Sequence, residues 1–446
     1  MKQILGRRAP SPAGKPQIRC AAGVLLLLCV PSLAAAQNPA PQDPLAPGAV
    51  RPPVLRRPAP ERLTFGLFLI EGVDFVDATD GRPGLIVDSR IRQNVSFSAF
   101  NASLNYSQLG EQKSYTLATG ASLRYYSVQP EVIPSNIYGG ASISTKLGQR
   151  ANFRGSANFG YSPFYSFGSF LMPSSSSYVR IPNDDQNIAR LDNNTAGGSA
   201  SLSWKLTSRS SLYTGYTLDS VSTTQDAYRV FTQGINGGYQ RQMTRYTNLR
   251  LGYGVRRSIQ GLESAPHFDT HTIDTGIGYG RPISSSRRTT VSFGTGLVLI
   301  NEAGLRSFNV TGDASLMYQL QRTWTTGVSY SRNVGKVGAL LTPFVTDTLS
   351  GYLSGLWTRK FGFSASGGLS LGNSALVVTN SYSGVYGNGR FHYELSRHVP
   401  IFVEYVYYQY GFEQSRALAP GFPMSMRRNG IRFGLGYSTP LIGPRF

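Results

Sequence analysis

Apolar and polar residues alternate with a period of two from about residue 63 to the end of the chain. Val291, Phe293, Leu297 and Leu299 fall on one face of an extended segment, with Ser292, Gly294 and Gly296 on the other. Leu249, Leu251, Tyr253 and Val255 alternate with Asn248, Arg250, Gly252, Gly254 and Arg256. Ile431, Phe433, Leu435 and Tyr437 alternate in the same way with Arg432, Gly434 and Gly436. This pattern predicts strands with one apolar face and one polar or small-residue face. Segments such as 113–127, 270–280 and 399–411 are longer than the roughly five or six residues of an ordinary strand and reach the about 9–11 tilted residues that cross an outer membrane.

Eighteen such segments begin near residues 64, 92, 113, 135, 151, 195, 209, 227, 245, 268, 287, 305, 323, 344, 362, 382, 399 and 428, with sixteen as the alternative count. A bilayer offers no partner to unpaired backbone groups, so strands that span it must close on themselves. The predicted fold class is therefore all-β, a transmembrane antiparallel β-barrel over residues 63–446. Connections alternate between short (146–150, 206–209, 240–245, 320–323, 359–361, 396–399) and long (74–90, 162–190, 331–343, 412–427). Short turns mark the periplasmic rim of this architecture and long loops the outer rim, which puts both termini of the barrel on the periplasmic side. Trp204, Trp324 and Trp357 each lie on an apolar face close to a short turn, where indole suits the headgroup level.

With these features the chain resembles the bacterial outer-membrane β-barrel class and, more loosely, porins of sixteen or eighteen strands. The terminal Phe446 is similar to the aromatic last residue that the barrel-assembly machinery recognises in that class, while Pro440 and Pro444 place the end of the last strand at Tyr437. In many porins the third outer loop folds inward. The resemblance therefore implies a constriction from the loop 162–190, with Phe164, Tyr165, Arg180, Asp184 and Asp185 as its candidate lining.

Before the barrel, residues 1–36 have a basic start, an apolar run from Ala21 to Val30 and Ala34, Ala35 and Ala36 at the end, the pattern of a secretory signal peptide. Its removal would take away Cys20 and Cys29, the only two cysteines, and exclude disulfides and thiol chemistry from the mature protein. Residues 37–62 are Pro-rich and read as an extended periplasmic linker.

The net charge of +20 suggests an anionic partner. Fourteen basic residues fall in the short turns against one clear acid, Glu111, and the rest of the barrel balances. The surplus belongs to one rim, where it would face anionic headgroups or a periplasmic polymer. Basic residues spaced one hairpin apart argue against nucleic acid. Alternation makes Arg124, Arg154, Arg250, Arg256, Arg390 and Arg432, with Asp274, Asp313, Glu394 and Glu404, the candidates for the pore lining. Mixed signs predict mutual pairing and weak charge selectivity.

Catalysis has little to rest on. His271 lies near Asp269 and Asp274 in sequence but alternates with Ile273 and Ile277 onto the apolar face, and no Cys or His spacing implies a metal or other cofactor. The expected function is passive diffusion of small hydrophilic solutes across the outer membrane. A polysaccharide-export or secretion-associated barrel, docked through the basic rim and Pro-rich tail, is the alternative, and a structural or adhesive barrel is a third.

Overall fold

The computed structural model describes residues 61–79, 94–127, 132–166, 187–223, 229–260, 268–279, 289–302, 305–320, 323–336, 343–375, 381–413 and 424–442. The signal peptide, nearly all of the Pro-rich segment and Phe446 lie outside these residues.

Eighteen strands form one sheet: β1 (Arg62–Thr79), β2 (Val95–Leu109), β3 (Lys113–Tyr126), β4 (Val132–Leu147), β5 (Ala151–Ser166), β6 (Asn187–Lys205), β7 (Ser210–Thr223), β8 (Arg229–Gln242), β9 (Thr247–Gln260), β10 (Phe268–Tyr279), β11 (Thr289–Glu302), β12 (Leu305–Gln319), β13 (Thr325–Lys336), β14 (Pro343–Leu356), β15 (Phe361–Ser374), β16 (Ser381–Ser396), β17 (Val399–Phe412) and β18 (Ser425–Ile442). Each pairs antiparallel with its neighbours in sequence, and β1 pairs with both β2 and β18, so the sheet closes. Closure removes the free edges that would otherwise stand unpaired in lipid.

The apolar residues of the alternation face outward. Leu251, Tyr253, Ile235, Phe293, Val403 and Phe433 are exposed on the outer surface, where a soluble protein would bury them. Facing inward from β3 to β15 are rows of hydroxyls joined across strands: Thr116 with Ser142 at 2.6 Å, Ser292 with Ser315 at 2.6 Å and Ser329 with Ser350 at 2.7 Å. Such cross-strand pairs satisfy each other without needing a core.

Glycine fits this wall where an aromatic ring from the next strand lies across its backbone. A Cβ on Gly120 would stand 2.6 Å from the Tyr138 ring, and one on Gly327 2.5 Å from that of Tyr352; Phe402 covers Gly434 in the same way. At the short-turn rim the only described left-handed glycine, Gly148 with φ of 76°, turns β4 into β5.

Four expectations are corrected. Strand β6 begins at Asn187, not near 195, because its first residues pair through the backbone with the end of β5. Phe164 and Tyr165 are therefore strand positions opposite Arg190 and Ala189, not loop residues. Register shifts at Ser162/Phe164 and Tyr165/Ser166 accommodate Pro163 there. Strand β18 continues past Tyr437 to Ile442. The β17 ladder on its other side ends at Leu435, so Pro440 withholds its missing N–H from no partner and pairs in register with Thr64 of β1. Finally, the alternation of short and long connections fails around β11. Nine residues including Pro282 separate β10 from β11 at the short-turn rim, and only Ala303 and Gly304 separate β11 from β12 at the other.

Candidate functional site

The inner surface differs from one arc of the wall to another. Along β4 to β13 it is mostly small and polar, as the alternation predicts, with Tyr138 and Tyr213 as larger members and the apolar Val298 and Ile300 buried on β11 near the long-loop rim. Along β14 to β18 and β1 to β3, near the long-loop rim, it carries buried aromatic and apolar side chains: Phe97, Tyr126, Phe344, Tyr382, Tyr410 and Phe412 among them. Tyr382 packs on Phe412 with centroids 4.9 Å apart, and Tyr408 on Tyr410 at 5.8 Å. This region was not anticipated. Its signal stands in β17, VPIFVEYVYYQYGF, where the inward parity (Phe402, Val406, Tyr408, Tyr410, Phe412) is as apolar or aromatic as the outward one.

Arginines are set among these rings. The Arg124 guanidinium lies 4.1 Å over the Phe97 ring, and that of Arg432 lies 5.5 Å from the same ring. Arg432 also meets Asp74 at 3.5 Å, with both side chains almost fully buried. Arg390 stacks 4.3 Å over Phe402 and holds Glu404 in a two-point pair, Nε to Oε1 at 3.2 Å and Nη2 to Oε2 at 3.0 Å. Planar guanidinium suits both contacts at once.

Across the wall, Arg250 meets Asp274 through Nε at 2.6 Å and Nη2 at 3.0 Å. A Cβ added at Gly294 would stand 2.9 Å from Asp313 Oδ1 and 3.2 Å from Arg250 Nη2, so the glycine leaves room for one arginine between two carboxylates. Arg256 lies within electrostatic reach of Asp219, an inward residue that sequence reasoning did not name. Arg154 and Glu394 are exposed on inward-facing positions of β5 and β16. The ten pore-lining candidates thus do not form one cluster. Arg250, Asp274 and Asp313 group together, Arg390 and Glu404 form a second group, and Arg124 and Arg432 share Phe97. Asp74 is the member the sequence hid: it was expected at the start of the loop 74–90, whereas β1 runs on to Thr79, and it joins Arg432 only through closure of β1 on β18. Arg180, Asp184 and Asp185 lie outside the described residues.

His271 and Asp274 point to opposite faces. His271 Nδ1 meets the Tyr253 hydroxyl at 2.7 Å on the outer surface, where Asp269 holds Arg257, while Asp274 faces inward. The acid/base grouping drawn from their spacing is not assembled.

At the short-turn rim, Trp204 and Trp357 are half exposed on the outer surface. Trp324 packs on Trp357 at 5.4 Å, and Trp357 stacks on Phe361 at 5.1 Å and on Phe391 at 6.0 Å. Ring pairs of this kind contribute about 0.5–1.5 kcal/mol each. Replacing Trp357 by Ala is expected to lower the thermal unfolding midpoint in detergent while leaving the strand content, read by circular dichroism, unchanged.

These features define a closed, eighteen-stranded antiparallel β-barrel with an apolar outer surface. No family model and no curated protein matches the sequence. Among solved structures, Pseudomonas aeruginosa OccK7 (OpdD) aligns with a TM-score of 0.46 and 11% identity, over 85% of this chain and 99% of that one. Pseudomonas aeruginosa OpdQ aligns at 0.44 and 11% identity, over 85% and 98%, and Acinetobacter baumannii OccAB3 at 0.44 and 9%, over 85% and 99%.

Proposed function

We propose that the chain is an outer-membrane channel through which small hydrophilic solutes diffuse passively, with weak charge selectivity. The observation that carries this reading is the closed wall of eighteen strands, apolar outside and lined inside by hydroxyl ladders and ion pairs. Barrels of about sixteen to eighteen strands enclose an aqueous channel, whereas about eight are filled by their own side chains. Weak selectivity is expected because inward arginines face carboxylates: Arg250 with Asp274, Arg390 with Glu404 and Arg432 with Asp74. In this reading the short turns lie in the periplasm. Their exposed Lys205, Arg209, Arg245, Arg359 and Lys360 would attract anionic headgroups or an acidic periplasmic polymer, each by on the order of 1 kcal/mol.

Single-channel recording tests the proposal. The purified protein in planar bilayers should give discrete conductance steps, with a reversal potential near zero in a salt gradient. Absence of steps above background would reject the channel, and a strongly displaced reversal potential would reject the weak selectivity.

A further inference from the structure

Two ladders stop short while their strands continue: β10–β11 beyond Asp274 and Gly296, toward the short-turn rim, and β12–β13 toward the opposite rim. Strands β12 and β13 pair from Gln319 and Thr325 up to Gly312 and Arg332, and there the ladder stops although both strands continue. Above that fork, Leu305–Thr311 of β12 remain paired with β11 on one side. Among the described residues they have no ladder partner on the other.

The upper part of β13 has not frayed away, since it stays paired with β14, Val334 opposite Val345 and Asn333 opposite Thr346, and β14 stays paired with β15. By alternation with Val328, Tyr330 and Arg332, Val334 belongs to the outward face. It nevertheless packs, together with Ala375 at the end of β15, against Val298 and Ile300, which lie on the inward face of β11. An outward-facing residue can touch an inward-facing one two strands away only if the two stretches overlap. The upper ends of β13, β14 and β15 therefore pass behind the β11–β12 hairpin, on its inner side. Burial agrees: the consecutive residues Phe344, Val345 and Thr346 are all buried, so both faces of β14 are covered there. On the outer surface Phe308 of β12 is 76% exposed, because no strand stands beside it.

The wall is thus lapped at this point, and the seam is closed by apolar contact instead of backbone hydrogen bonds. Apolar contact is non-directional and separates by sliding, whereas each ladder bond that opens in lipid leaves a donor and an acceptor unsatisfied. Beside the lip, on the lipid side, stand Phe308 and Val310, with exposed Arg306 one step above and Arg332 at the fork, the latter held by Asp347 at 3.3 Å. Behind the lip stand Val298, Ile300 and Val334. A molecule that fits both sides has an apolar chain for the lapped seam and an anionic head for Arg306, the arginine beside the lip that Asp347 does not pair.

We infer that the lapped seam between β12 and β13 is a lateral port by which a single-chain anionic amphiphile passes between the barrel interior and the surrounding leaflet. The inference rests on the channel reading for the existence of a wet interior, and adds a second class of permeant and a second exit.

Two cysteine pairs in the full chain test it, since both native cysteines precede residue 37. Val298→Cys with Val334→Cys locks the overlap. Val310→Cys with Val334→Cys locks the two strands edge to edge, in the register that continues Gly312 opposite Arg332. The probes are a dye-tagged alkyl sulfonate, whose permanent charge keeps it from crossing lipid unaided, and the same dye sulfonate without its chain, both followed into proteoliposomes. The first pair should cross-link in the membrane under mild oxidation. Either disulfide should slow the alkyl sulfonate about tenfold, leave the chain-free sulfonate and the ion conductance unchanged, and be reversed by reductant. Failure of the first pair to cross-link, unchanged passage of the alkyl sulfonate in a cross-linked protein, or equal slowing of both probes would overturn the port. Passage of the alkyl sulfonate but not of the chain-free probe would instead reject the diffusion channel and leave the port standing.

Discussion

Replacing Asp74 by Ala is expected to cost about 3–5 kcal/mol of stability, the penalty for leaving a buried charge without its partner. The Arg432 side chain is 3% exposed and that of Asp74 4%, so water cannot take over the carboxylate's role. Burial also keeps the pair from being screened, and the loss should change little between low and high salt. The surroundings make the arginine worse placed still once Asp74 is gone. Phe97 already carries the Arg124 guanidinium at 4.1 Å, and without Asp74 two cations would share one ring. The position matters for folding as well as for stability. Gly72 stands opposite Arg432 and Asp74 opposite Gly430, so the pair lies on the seam where the first strand meets the last. Urea titration of the protein refolded into liposomes would read the change as a shifted midpoint. Exchanging both partners at once, Asp74→Leu with Arg432→Met, should recover most of the loss, because it removes both desolvation penalties along with the attraction. A single Asp74→Ala variant as stable as the parent, or a double variant no better than the single one, would contradict the buried pair.

That pair also shows where the sequence stopped being legible. Alternation depends only on neighbours in the chain, so it located nearly every strand within about three residues. It placed Arg250 and Asp274 on one face, and Arg390 with Glu404. Arg390 and Glu404 stand directly opposite in one hairpin, so their pairing follows once its register is known. Asp74 and Arg432 are 358 residues apart, and only closure brings them together. Local pattern carries no trace of that. The start of β6 was missed for a related reason: from Asn187 onward the strand is held by backbone pairing to Ser162–Ser166, which the local pattern of side chains does not show. The aromatic arc was missed because β17 is apolar on both parities, and alternation has nothing to say about a strand whose two faces are alike. The lapped seam lies further from reach. Val334 continues the outward series of Val328 and Tyr330 without interruption, and only the position of β11 shows what that face meets.

The same one-residue logic gives the second large effect. Ile235 and Asn236 are adjacent near the middle of β8, Ile235 outward at 62% exposure and Asn236 inward and exposed. Successive residues of a strand point to opposite faces, so an arginine at one position meets lipid and at the other meets the interior. At the level of the bilayer midplane an outward arginine costs about 2–4 kcal/mol. Asn236 has Gly215 and Gly254 as its cross-strand neighbours, which leaves room for a longer side chain. Its replacement by Arg should change stability by less than about 0.5 kcal/mol, as for an exposed site on any protein. Ile235→Arg should therefore assemble poorly and unfold at lower urea in liposomes, while Asn236→Arg assembles like the parent and shifts the reversal potential toward anions. If the outer surface met water instead of lipid, the exposed Ile235 would tolerate the charge and the two variants would unfold alike. Equal behaviour of the two variants in liposomes would mean that Ile235 does not face lipid, and the outward apolar surface would need another explanation. The comparison isolates facing from position, because the two side chains share a strand, a depth and a backbone environment and differ only in which side of the wall they enter.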